Sequence, residues 1–213
     1  YSTFDWGNLK RSRETYIKRL NGIYERGLNK LDITQIHNQG YASFDKDGKT
    51  INVGSKKYSA DHVVIAVGGA PNSLNVPGDE HALNSDDFFH KLHEQPKKVA
   101  VIGAGYIAVE LAGVLNGLGS DTSLFVRGDN ALRSFDDMLQ QNLDKSMKHA
   151  GVKIVPQSTT KEIVEESDGT FSLHLENGDV HRGFNAIIKA TGRTPITNKL
   201  GLESIGVKTL KSG

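Results

Sequence analysis

Apolar residues fall along the chain in distinct spacings, and each spacing predicts a different element. In NLKRSRETYIKRLNGIYERGLN, residues 8–29, Leu9, Tyr16, Ile17, Leu20, Ile23 and Tyr24 recur at mostly three- and four-residue intervals with basic residues between them. That predicts a long amphipathic helix ending near Gly27. From Leu31 to Gly69 the runs shorten and become β-like: ITQI, YASF, a DKDG turn, TINV, and an apolar strand from Val63 to Val67 that enters the Gly68-Gly69 turn. Ser85 is placed to cap a short helix, DDFFHKLHE. A second apolar strand, Val99 to Ile102, follows Pro96.

Beyond Gly103 the pattern reads helix (YIAVELAGVLNGLG), strand (TSLFVR), helix (DDMLQQNLDKSMKHAG), strand (VKIVP). A βαβαβ order predicts a parallel sheet with right-handed crossovers. TKEIVEE, TFSLHLENGDV and AIIKATG then suggest a meander, with Asn177-Gly178 as a hairpin turn. Two segments echo each other: DHVVIAVGGAP from Asp61 and NAIIKATGRTP from Asn185 both run from an apolar strand through glycine to proline. Such paired turns bracket the central unit and return the chain to a common neighbour.

Composition narrows the choice of function mainly by exclusion. The 213 residues carry 26 Lys+Arg against 25 Asp+Glu, a net charge of +1, so any anion site must come from a local cluster rather than bulk charge. No run approaches eighteen apolar residues and no secretory leader pattern opens the chain, so a soluble intracellular protein is expected, without nucleic-acid or membrane partners. There is no cysteine, hence no disulfide, thiolate metal site or thiol nucleophile within the chain. The eight histidines show no paired-ligand spacing, and no G-x-S-x-G elbow is present, so neither a metal nor a catalytic triad is expected.

The chemistry concentrates in GAGYIA. Gly103-Ala104-Gly105-Tyr106-Ile107-Ala108 fits G-x-G-x-x-A: the first glycine permits a tight turn, the second lets a pyrophosphate approach the backbone, and small Ala108 allows close helix packing. The helix that starts here directs free N–H groups and its positive dipole end toward phosphates. At the end of the next strand, where an acidic residue would accept from the adenosine ribose of NAD, the chain reads Val126-Arg127. A guanidinium there suits a 2′-phosphate, and Arg133 adds a second positive charge if the intervening GDNAL loop folds back. NADP(H) is therefore expected over NAD(H). Glu110 shares a helix face with Tyr106; it complements the helix dipole or orients a lysine or the cofactor ring.

Taken together, VAVIGAGYIAVELAG, FVRGDNALRSFD, AVGGAP and ATGRTP resemble the pyridine-nucleotide disulfide oxidoreductases, nearest to the fungal branch that reduces glutathione, and the resemblance extends over essentially the whole chain. It implies an α/β fold: a Rossmann-like NADPH-binding domain with parallel sheet and β-meander at 86–190, flanked by incomplete FAD-domain segments at 1–85 and 191–213. In that family NADPH reduces FAD, FAD reduces an active-site disulfide, and the dithiol of a homodimeric enzyme reduces its substrate, oxidised glutathione. Carried over by position, the resemblance makes Ala104, Ile107, Glu110, Arg127, Arg133 and Gly192 NADPH contacts. It makes Tyr106 the aromatic gate over the flavin, Glu110 the partner of a flavin-side lysine, and Ala42, Gly68, Ser85 and Arg193 neighbours of FAD.

The chain also departs from that pattern. Segments matching the first FAD-binding glycine turn, the redox cysteine pair, the lysine and the dimer domain with its catalytic histidine have no counterpart, so no catalytic residue is assigned within these 213 residues. The isolated chain is expected not to reduce glutathione disulfide and to expose apolar surface on its flanking segments. Val67 stands where threonine is usual, and Lys189 is a charge inside an apolar strand. An NADP(H)-binding module without catalysis, acting as a sensor or interaction module, is the competing reading.

Overall fold

A computed structural model describes residues 4–210; the outermost residues of the two flanking segments, 1–3 and 211–213, lie outside it. The fold divides into two compact units: a central one, Pro71–Gly192 with the start of the chain through Asn8, and a flanking one, Leu9–Ala70 with the chain from Arg193 onward.

Helix α1 (Trp6–Lys30) follows the predicted period but runs three residues past Gly27, since nothing in its last turn breaks the backbone ladder. In its first turn, Trp6 belongs to the central unit, where its ring meets Phe88 edge-on at 6.2 Å and its Nε1–H donates to the Leu92 carbonyl at 3.3 Å. In the flanking unit, β1 (Ala42–Phe44), β2 (Thr50–Val53) and β3 (Lys56–Ser59) form an antiparallel three-stranded sheet. The Phe44 N–H donates to the Leu200 carbonyl at 2.8 Å. Two expected strands are absent. ITQI is loop, and Val63 to Val67 runs without a ladder partner among the described residues. The reason is physical: a strand is defined by pairing, and apolar composition alone provides none. The Gly68 turn then opens β4 (Gly69–Pro71).

The central unit begins with β5 (Ala82–Leu83) and α2 (Ser85–His90). Its cap is not Ser85, which is the first helical residue, but Asn84. The Asn84 side chain accepts from the Asp86 and Asp87 N–H groups while Asp87 reaches back to the Asn84 N–H, a reciprocal capping box. The helix also stops at His90, four residues short of the expected end. The predicted alternation then follows: β6 (Lys98–Ile102), α3 (Tyr106–Gly117), β7 (Asp121–Phe125), α4 (Asp137–His149) and β8 (Lys153–Val155). Strands β9 (Thr160–Glu165), β10 (Phe171–Leu175) and β11 (Val180–Phe184) make an antiparallel meander.

AIIKATG does not belong to that meander as expected. Its strand, β12 (Ala186–Lys189), inserts between β5 and β6 in a five-stranded sheet ordered β5-β12-β6-β7-β8 with every ladder parallel. Three consecutive apolar residues, Ala186 to Ile188, suit a strand covered on both faces. The covering follows the pleat. Val99, Val101, Leu124 and Ile188 point to Ala108, Leu111, Ala112 and Leu115 of α3, with Met147 of α4 in the same cluster. Ala100, Ile102, Phe125 and Ile187 point instead to Ile163, Leu173, Leu175 and Phe184 of the meander. Helices, parallel sheet and meander thus form three layers.

Lys189, the odd charge of β12, has a half-buried partner. Its Nζ lies 2.6 Å from Asp79 Oδ1 and 3.0 Å from the Asp79 carbonyl, and the Ser73 hydroxyl also donates to Asp79. Burial by itself would raise the Asp79 pKa, but the hydrogen bonds from Lys189, Ser73 and the Leu74 N–H, with the Lys189 charge, hold it below the ordinary carboxylate value. The chain leaves the central unit at Gly192 and enters β13 (Arg193–Pro195), which pairs with β4, so the two echoed glycine–proline turns do end side by side.

Candidate functional site

The parallel sheet ends its strands together, and the loops beyond those C-terminal ends are where an open α/β sheet receives a ligand. Gly103 closes β6 under strict constraint: its φ is +145°, and a Cβ there would overlap the Ala190 carbonyl oxygen and stand 3.2 Å from the Ala108 Cβ. The Gly103 N–H donates to Phe125 and the Ala190 N–H to Ile102, so the turn is sewn into the sheet on both sides. Ala108 is fully buried against this turn, which explains why a small residue stands there.

Gly105 answers a different need. It is the cap residue of α3, has no side chain to accept the first helical N–H groups, and has no atom within 4 Å of where its Cβ would be. The first intrahelical bond is Val109 N–H to the Gly105 carbonyl, at 3.1 Å. The preceding N–H groups of the first turn have no acceptor within the helix, and the space beside Gly105 is open, as an approaching anion requires. Ala104 and Ile107 are half-buried beside this opening.

Tyr106 and Glu110 extend from the same turn of α3 on its exposed side; Tyr106 keeps 60% of its surface accessible. Neither has a hydrogen bond, ion pair or ring partner among the described residues. The face continues through Gly113, Val114 and Gly117, which is unusually bare for the outside of a helix.

Arg127 lies two residues past β7, exposed, directly after buried Val126. The loop that follows folds back: the Leu132 N–H donates to the Ala104 carbonyl at 2.7 Å, with Leu132 in the left-handed region at φ 55° and Ala131 buried. Arg133 is therefore tied to a residue hydrogen-bonded to the glycine turn itself. Neither guanidinium has an ion pair among the described residues. Sequence reading missed the agents of this fold-back, Leu132 and Gln157; a Pro-Gln-Ser turn just after a parallel strand was the available signal for the second.

The other expected site residues are distributed between the units. In the central unit, Ser85 opens α2 and the Gly192 carbonyl accepts the Asn72 N–H at 3.0 Å. In the flanking unit, Ala42 starts β1, the Gly68 carbonyl accepts the Ile196 N–H at 3.0 Å, and the Arg193 guanidinium donates to the Gly69 carbonyl. Ala42 also borders an open groove of about 300 Å³ with Phe44, Ile51, Val64, Ala66 and Leu200. Among the described residues no group of His, Cys, Asp and Glu could hold a metal ion, and no helix is long and apolar enough to cross a membrane.

Comparison with known proteins gives the same picture at the level of family. Residues 8–213 match the family model of pyridine nucleotide-disulphide oxidoreductases. The chain is 39% identical to glutathione reductase of Yarrowia lipolytica and 40% identical to that of Schizosaccharomyces pombe, over 99% of its own length and 46% of theirs. It is 37% identical to the chloroplastic/mitochondrial glutathione reductase of Pisum sativum, covering 37% of that protein. The chain thus spans about half the length of the fungal relatives it matches. Among solved structures, the HOCl-induced flavoprotein disulfide reductase RclA of Escherichia coli superposes with a TM-score of 0.84 at 21% identity, over 99% of this chain and 48% of that one, a likeness of fold.

Proposed function

The chain belongs to the pyridine nucleotide-disulphide oxidoreductase family, and from that premise we propose that it forms the NADP(H)-binding portion of a flavoprotein disulfide reductase acting on glutathione disulfide. The observation that carries this reading is the pairing of an uncapped, open glycine turn with two ion-pair-free arginines at the end of the neighbouring strand. In it, Gly103, Ala104, Gly105, Ile107 and Ala108 seat the pyrophosphate on the N–H groups of α3, and Arg127 and Arg133 hold the 2′-phosphate by charge-assisted hydrogen bonds. Gly192 closes the nicotinamide end. The bare face of α3 with Tyr106 and Glu110 suits a flavin, and Ala42, Gly68, Ser85 and Arg193 are carried over as FAD neighbours by the family resemblance alone. NADPH, when bound, supplies hydride equivalents to FAD.

With no cysteine in the chain, the thiol pair that would pass electrons to oxidised glutathione has to come from polypeptide outside these 213 residues. In this reading 86–190 is the NADP(H) domain and 1–85 and 191–213 serve the FAD domain, in the cytoplasm or mitochondria. The cysteine-free composition favours one competing reading, an NADP(H)-binding module without catalysis. Stoichiometric FAD on the purified chain with NADPH-driven bleaching would exclude that module.

The nucleotide assignment is tested by calorimetric titration with NADPH and NADH. NADPH is expected to bind more tightly, and Arg127→Glu and Arg133→Ala to weaken it by about 1.5–3 kcal/mol for each lost arginine contact. Equal affinity of the unmodified chain for both dinucleotides overturns the assignment.

A further inference from the structure

Three carboxylates lie along the loop that carries the two arginines and at its end: Asp129, the α4 cap Asp136, and Asp137, the first residue of α4. Opposite charges so close on one flexible segment collapse into ion pairs unless something else holds them, and a guanidinium already paired has little left for a ligand. Asp129 stands two residues after Arg127 and four before Arg133, yet among the described residues it pairs with neither. Its Oδ1 accepts instead from Gln157 Nε2 at 2.5 Å. Asp136 accepts the Met138 N–H at 2.9 Å as the cap of α4, and Asp137 accepts from Gln140 Nε2 at 3.4 Å. Every carboxylate of the loop is occupied by a neutral donor.

Gln157 is itself held for this task from the neighbouring strand. It follows β8 in a left-handed conformation, φ 53°, and its N–H donates to the Gly128 carbonyl at 3.0 Å. On either side, the Val126 N–H donates to Val155 and the Ser158 N–H to Val126, both at 2.9 Å. The ladder between β7 and β8 therefore continues past both strands as far as the residue next to Arg127. Asp129 and Gln157 are both exposed, so water offers the aspartate an alternative, and only the fixed position of the amide makes this partner the preferred one.

We propose that Gln157 is a specificity-positioning residue: by holding the Asp129 carboxylate against the β8 loop, it keeps Arg127 and Arg133 open to an external dianion and keeps a competing negative charge away from it. The inference rests on the NADP(H) reading and deepens it. It is tested in the full chain with two probes that differ by one phosphate, 2′,5′-ADP and 5′-AMP. Gln157→Gly suits the left-handed backbone and preserves the fold, which thermal unfolding checks. Releasing one charge near the phosphate lowers 2′,5′-ADP affinity about fivefold and leaves 5′-AMP affinity unchanged. Adding Asp129→Asn to Gln157→Gly restores 2′,5′-ADP binding to at least the starting value. Equal weakening of both nucleotides, or no rescue by Asp129→Asn, overturns the role of Gln157 while the 2′-phosphate reading stands on its own dependence on Arg127. No preference for 2′,5′-ADP in the unmodified chain overturns both.

Discussion

Two apolar runs of similar sequence meet opposite fates in this molecule. VAVI at 99–102 forms the middle of a parallel sheet, with β12 and β7 on its edges, helices on one face and the meander on the other; three of its four residues are completely buried. VVIAV at 63–67 has no ladder among the described residues, and Val64 is 86% exposed. The same contrast separates the units. Nearly all of the buried hydrophobic side chains lie in the central unit, while Leu9, Tyr16, Ile17, Ile23 and Tyr24 of α1 remain on the surface of the flanking one. Hydrophobicity states a demand for burial, worth about 25 cal/mol per Å². Whether the demand is met depends on what the rest of the chain brings alongside.

The comparison can be broken most directly in the two cores. Leu115→Ala, at a fully buried position of α3, is expected to cost about 3 kcal/mol in chemical denaturation because it empties part of a packed layer. Val64→Ala should change the unfolding free energy by less than about 0.5 kcal/mol. A large effect at Val64 would mean that the flanking run is packed in solution and would erase the distinction.

Next in size is the ion pair that anchors β12. Lys189→Met leaves a mostly buried Asp79 without its cation and should cost about 2 kcal/mol at neutral pH, with Asp79→Asn restoring part of it. The pH dependence has a definite sign. The folded pKa of Asp79 is depressed, so its contribution is present above the ordinary value of 3.8 and is lost as pH falls through the folded value. The wild-type advantage over Asp79→Asn should therefore fade in acid denaturation below pH 4 and be constant above it. An advantage unchanged by acid would show that the pair is not electrostatic in origin.

A smaller effect sharpens the account of local signals: Asn84→Ala should cost about 1 kcal/mol by removing the α2 cap, more than Ser85→Ala does. Smallest of all is Lys57→Ala in the flanking unit. The exposed Lys57–Asp45 pair, 2.9 Å apart, is screened by water and salt, and its loss should not move the unfolding midpoint in physiological salt. A salt-sensitive loss would place unexpected stability outside the central unit.

Legibility in the sequence followed the range of the interaction. The βαβαβ order was readable because each element carries its own period, and so was the Gly103 turn, because a positive φ and a carbonyl contact leave glycine as the residue that fits. Asn84 was overlooked for Ser85 because both are capping residues and their difference is one of backbone geometry at a single position. AIIKATG was assigned to the meander by adjacency; its insertion between β5 and β6 depends on residues 105 and 87 positions away. In the candidate site the two glycines and Arg127 were visible, whereas the approach of Arg133 depended on Leu132 folding back to Ala104, and Gln157 was marked only by the Pro-Gln-Ser turn after a strand, which does not say what its side chain will meet.

By itself, then, the sequence determined the alternating elements of the central unit, the glycine turn that opens α3 and the lack of any thiol, since each is a property of a residue or of a few neighbours. Tertiary structure alone decided the strand order, the partner of Lys189, which apolar runs are covered, and which donors occupy the carboxylates beside Arg127 and Arg133. Those outcomes are set by pairing across long sequence separations, where local periodicity carries no information about which partner will be found.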